Sequence, residues 1–251
     1  MRLRMRSLLL LGTTSLVLQL FKPAHAAPLS PDAIVAGKSQ AEWSAEWWKW
    51  AFSIPAAQNP FFDNTGEFSH LGDVGPVYFL SGVEDQTVTR PITVPAGKPL
   101  FFPVLGIVFY VVPELGETLA DAQQAIDESF TDTTALRATL NGVPIPNLFS
   151  YAQRSPLFSV VIPPDGLGPP GSFSEALAGG YWLMLEPLPV GQHRLTFGGD
   201  IGGANPFTSD IAVVITVVPE PGSFGLIVCG AVVLYAGSAH RRLLKRFRAV
   251  H

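Results

Sequence analysis

The chain has 251 residues, 47% hydrophobic and 14% charged, with a formal net charge of −4 and one cysteine. That length can bury a proper core, and such apolarity excludes a wholly disordered chain. The negative balance argues against non-specific nucleic-acid binding, which needs a Lys/Arg surface, and a single cysteine excludes an intramolecular disulfide framework and every multi-cysteine metal site.

At the start, Arg2, Arg4 and Arg6 precede an apolar run from Leu8 to Phe21, which closes with Ala24-His25-Ala26. This charged, apolar and small-residue order predicts a secretory signal peptide over residues 1–26, with Ala24 and Ala26 as the small residues that signal peptidase reads. An uncleaved anchor is the alternative, but the run is short and Thr13, Thr14, Ser15 and Gln19 interrupt it.

The clearest helix is predicted over Lys38 to Phe52. Ser39 and Glu42 have capping-box spacing, and Pro55 stops the helix by pushing the residue before it out of the α region. Trp43, Trp47 and Trp50 make one aromatic stripe, and Trp48 lies off it. These rings suit either stacking on sugars or gluing the helix to a sheet. The stripe favours glue and leaves Trp48 as the candidate for an exposed contact.

Strand-like runs follow at Val77–Leu80, Thr87–Val94, Leu100–Phe102 and Gly106–Val112, with Pro95-Ala96-Gly97-Lys98 as a turn. A short helix is predicted over Thr118–Phe130, and a hairpin over Leu136–Leu140 and Val143–Ile145 around Asn141-Gly142. Phe158–Ile162 is a further strand. Residues 163–180 read as a Pro/Gly-rich loop, Pro163-Pro164-Asp165-Gly166 through Pro169-Pro170-Gly171, long enough to be mobile or functional, and the last strands fall at Tyr181–Leu185, His193–Phe197 and Asp210–Val218. Many short strands with frequent turn signals predict a mainly β chain, an antiparallel β-sandwich of jelly-roll or immunoglobulin-like type carrying one Trp-rich helix and one short helix. Dense proline suits rigid loops and blunted edges in a fold without disulfides.

After residue 218 come Pro219-Glu220-Pro221, then 18 uncharged residues from Gly222 to Ala239, then Arg241, Arg242, Lys245, Arg246 and Arg248. Eighteen helical residues span about 27 Å, close to a bilayer's apolar core, so a transmembrane helix is expected over 222–239. The basic cluster would hold the tail in the cytoplasm and leave residues 27–218 outside. This tail resembles the PEP-CTERM sorting signal of bacteria that carry an exosortase. The resemblance implies a sorting signal over 219–251 and exosortase cleavage near Pro219, Glu220 and Pro221. It also implies passage through an inner-membrane intermediate to the cell surface or beyond, into a biofilm matrix where exopolysaccharide would be a partner. An ordinary C-terminal anchor is the alternative. With both ends set aside, the body over 27–218 holds seven basic and nineteen acidic residues, a net of −12, and no cysteine.

The body also resembles a family of uncharacterised secreted bacterial proteins with a Trp-rich N-terminal helix. The likeness runs through Trp43…Trp47-Trp48-Lys49-Trp50, Asn59-Pro60…Asp63-Asn64-Thr65-Gly66, Val94-Pro95-Ala96-Gly97-Lys98-Pro99, Asn141-Gly142-Val143, Gly180-Tyr181-Trp182 and Leu188-Pro189-Val190-Gly191-Gln192-His193. It implies no particular activity. Relatives carry cysteines where this chain has residues such as Ser69 and Ile92, so no disulfide is implied here.

Chemistry is sparse. The body's histidines, His70 and His193, stand in no Gly-x-Ser-x-Gly elbow or His-Glu-x-x-His arrangement. Asp63-Asn64-Thr65-Gly66-Glu67 groups oxygen ligands that would suit calcium, although an Asp–Gly turn explains the same residues and no other cofactor is expected. The expectation is an exported surface or matrix protein with a non-catalytic structural or binding body. Two alternatives remain: a secreted hydrolase or carbohydrate-active enzyme using His70 or His193, and a glycan-binding module using Trp48 or Trp182.

Overall fold

The structure, a computed structural model, describes residues 26–82, 88–203 and 206–219. Ala24, Glu220, Pro221, the 222–239 span and the basic cluster from Arg241 to Arg248 lie outside the described residues. Among those described, no helix is long and apolar enough to cross a membrane.

The first helix, α1 (Gln40–Ser53), opens on the expected capping box: the Ser39 hydroxyl accepts from the Glu42 N–H, and the Glu42 carboxylate accepts from the Ser39 N–H. Strands β1 (Asp73–Val74), β2 (Val77–Phe79), β3 (Val88–Pro95) and β4 (Leu100–Tyr110) follow. The second helix, α2 (Leu119–Asp132), is capped reciprocally by Thr118 and Asp121. Then come β5 (Thr133–Leu140), β6 (Val143–Pro144), β7 (Ala152–Arg154) and β8 (Phe158–Ile162). The chain of strands ends with β9 (Gly171–Leu185), β10 (Gly191–Ile201) and β11 (Phe207–Val218). At the hairpin tip Asn141 and Gly142 have φ of 53° and 79°, the positive pair that a type I′ turn requires.

Two sheets face each other, as expected of a sandwich. One runs β1-β2-β4-β9-β7, with β8 also on β9; the other runs β3-β11-β10-β5-β6. Their pairing corrects the antiparallel expectation, because β2–β4 and β3–β11 are parallel. Both sheets are therefore mixed. The turn at 95–99 lifts the chain from one sheet to the other, so β3 ends beside the last strand rather than beside β4.

Two further expectations change. Leu100–Tyr110 is one strand rather than two, because a register shift between Pro103 and Leu105 accommodates the proline inside the ladder. The loop at 163–180 is shorter, since β9 begins at Gly171 and pairs with β8 from there.

The core has two parts, separated by the six-stranded sheet. Leu100, Phe102, Leu183 and Leu185 face the five-stranded sheet and meet Leu195, Phe197 and Val213. Their sequence neighbours Phe101, Trp182 and Met184 face the other way, against α1. Residues 100–102 of β4 and 181–185 of β9 are thus buried on both faces, which is why these stretches read as continuous apolar runs. The molecule has three layers: α1, the six-stranded sheet and the five-stranded sheet.

Candidate functional site

The tryptophans divide by what their indole N–H groups find. Trp43 donates to the Val35 carbonyl at 3.0 Å, Trp47 to that of Leu80 at 2.9 Å, and Trp50 to that of Leu71 at 2.7 Å. These three glue α1 to the sheet, as the stripe predicts. Trp182 is 0% exposed and stacks on Phe101 with ring centroids 5.2 Å apart. Trp48, expected to be exposed, is 8% exposed and packs beside Phe52 and Phe61. Neither Trp48 nor Trp182 offers the open ring face that stacking on a sugar needs. Both indole Nε1 atoms are buried without a hydrogen-bond partner among the described residues.

The histidines have separate surroundings. His193 lies on β10, where its Nε2–H donates to the Pro189 carbonyl at 2.8 Å and its Nδ1 accepts from the Asn141 amide at 3.2 Å. Both ring nitrogens are thereby engaged in hydrogen bonds within the fold. His70, in a 3₁₀ turn spanning Glu67–Gly72, donates from Nδ1 to the Glu67 carbonyl at 3.0 Å.

Around Asp63, the Thr65 hydroxyl and the Thr65, Gly66 and Phe68 N–H groups all donate to the carboxylate. Burial opposes ionisation there, but these donors outweigh it and hold the carboxyl below its ordinary range. Three of these four bonds go to Oδ1 and one, from Phe68, to Oδ2. The same turn is fastened from behind by buried Arg90, which donates to the carbonyls of Pro60, Asp63 and Ser81. Among the described residues, no group of three or more His, Cys, Asp or Glu side chains is arranged to hold a metal ion.

Concave space is concentrated elsewhere. A cleft of about 730 Å³ opens where α1, α2, β4, the 163–170 loop and the adjoining ends of β10 and β11 come together. Trp48, Phe61, Phe62, Leu105 and Phe207 form much of its apolar wall, and Phe62 is 50% exposed. Glu128, Ser129 and Asp132 of α2 supply its polar side. A void of about 60 Å³ continues inward between Trp48, Phe61 and Ser209. A second depression of about 580 Å³ lies on the five-stranded sheet beside Arg137 and Asp210. There Arg137 donates to Asp200 at 2.6 and 2.9 Å and to Asp210 at 2.9 Å. Those bonds, to Asp200 above all, raise the guanidinium's affinity for its proton, so its charge is already met by two carboxylates.

No family model and no curated protein matches the chain. The solution structure of Amebosin aligns with 57% of this chain and all of its own, at 14% identity and a TM-score of 0.21. That overlap is too poor to inform the fold.

Of the side chains singled out from sequence as candidate contacts, Trp48 reaches the large cleft, as wall rather than as platform, and the Pro/Gly-rich loop reaches it through Gly166. Phe61, Phe62, Glu128, Asp132 and Phe207 went unselected. Two signals were available: adjacent phenylalanines in a polar turn between Pro60 and Asp63, and an acidic C-terminal end on a helix lacking any basic residue.

Proposed function

We propose that this chain is an exported cell-surface or extracellular protein whose body serves as a non-catalytic binding module for a small, largely apolar ligand. The cleft carries the binding half of this reading. Its volume falls in the range of about 300–1,000 Å³ usual for small-molecule sites, and its apolar wall with a few polar groups on one side matches their make-up. The engaged His193 and the isolated His70 give the hydrolase alternative no constellation to work with. An exopolysaccharide partner would have to meet surfaces other than Trp48 and Trp182.

Export and sorting rest on the two ends of the sequence. The fold is compatible with them, since β11 ends at Val218, one residue before Pro219 of the tail motif. Mass spectrometry of the protein from an exosortase-bearing cell tests the sorting half. The expected mature chain begins at Ala27 and ends near Pro219–Pro221. A chain that retains residues 219–251 would overturn it.

A further inference from the structure

The large cleft is charged with one sign. Among the described residues that line it, Glu128 and Asp132 are the charged ones, and no lysine, arginine or histidine joins them. Both stand near the C-terminal end of α2, a helix without a basic residue. Aligned peptide dipoles already make that end of a helix negative, so the two carboxylates add to an unfavourable field instead of compensating it. Glu128 accepts from the neutral Gln124 amide at 2.7 Å, and the Asp132 carboxylate has no hydrogen-bond or ion-pair partner among the described residues. The site holds an excess of negative charge beside an apolar wall.

The wall beside these carboxylates is aromatic, with Phe61, Phe62 and Phe207 among its lining. Aromatic rings carry a quadrupole that attracts a cation and repels an anion. The body's net charge of −12 works in the same direction at longer range.

We propose that the cleft binds an organic cation. An aromatic-sized apolar body would sit against Trp48, Phe61 and Phe207, and an ammonium group would face Glu128 and Asp132. This rests on reading the cleft as a ligand site and adds the ligand's charge class.

The test uses one apolar body with three head groups: 4-phenoxybutylammonium, 4-phenoxybutanol and 4-phenoxybutyrate, titrated calorimetrically into the protein as recovered from producing cells. The ammonium compound is expected to bind about tenfold more tightly than the alcohol, with the carboxylate weakest. In the Glu128→Gln/Asp132→Asn double variant that preference should fall to within about twofold while the alcohol's affinity stays unchanged. Trp48→Phe should weaken all three by a similar factor. Equal affinities for the three head groups, or a preference that survives the double variant, would overturn the cation assignment and leave the cleft reading standing. Failure of all three to bind the folded protein would overturn the cleft reading as well.

Discussion

Tyr78 shows how a single buried polar group makes this fold sensitive to pH. Its ring lies in the core between the sheets, and its hydroxyl donates to the Ser69 carbonyl at 2.6 Å. Burial penalises the phenolate and pushes the pKa up to about 12, against an ordinary value near 10. In the unfolded chain the phenol ionises near pH 10, so as pH rises from about 10 to 12 the unfolded state gains by losing a proton that the folded state keeps. Stability contributed by the neutral phenol is complete below pH 10 and should fall by about 2–3 kcal/mol across that window. Urea unfolding at pH 9, 10, 11 and 12 should show this decline, and Tyr78→Phe should flatten it while costing about 1 kcal/mol at pH 9 for the lost hydrogen bond. Burial also raises Tyr110, Tyr151 and Tyr181, so some alkaline decline should survive in the variant. Identical slopes for the two proteins would remove Tyr78 from the account.

At the scale of elements, local chemistry was legible and long-range pairing was not. Ser39 with Glu42, the Trp43–Trp47–Trp50 stripe and Asn141-Gly142 each act within a few residues, and each appears in the fold as its spacing predicts. The parallel registry of β3 with β11 joins Val94 to Val217, a partnership that no local pattern encodes. The first half of β9 was hidden for a related reason. Its Gly- and Ser-rich segment resembles a loop, and only β4 and β8 on either edge make it a strand. One of its glycines serves the packing of α2: a Cβ added at Gly179 would lie 2.4 Å from Cγ2 of Ile126. Gly179→Ala should therefore cost about 1–3 kcal/mol. Ile126→Ala will be costly by itself, because that side chain is buried, yet it removes the obstructing atom. A double-mutant cycle by urea unfolding should find the pair less destabilising than the sum of the single changes by at least about 0.5 kcal/mol. Simple additivity would mean that α2 moves aside rather than resting on Gly179.

For the molecule as a whole, the cleft escaped sequence reading because its wall is assembled from segments as far apart as Trp48 and Phe207, none of which carries a recognisable motif alone. The charge of the body, by contrast, was legible once the terminal segments were set aside. Those segments also suggest how maturation meets the fold. Residues 26–29 run beside the end of β9: Leu29 donates to the Met184 carbonyl at 2.7 Å, Glu186 donates its N–H to the Ala27 carbonyl at 3.0 Å, and the Ala27 nitrogen lies 3.4 Å from the Glu186 carboxylate. In the precursor that nitrogen is a neutral amide. Under the proposed cleavage after Ala26 it becomes the chain's terminal ammonium, and a weak hydrogen bond becomes an ion pair beside the sheet. Because the pair is solvent-exposed, its effect should be small: the Ala27 amine should titrate a few tenths of a pH unit higher in the mature wild-type protein than in Glu186→Gln. Amine titration followed by NMR on both mature proteins checks this, and raising the salt concentration should shrink the difference. A mature N-terminus other than Ala27, or an amine that titrates identically with and without the Glu186 carboxylate, would show that processing does not create this contact.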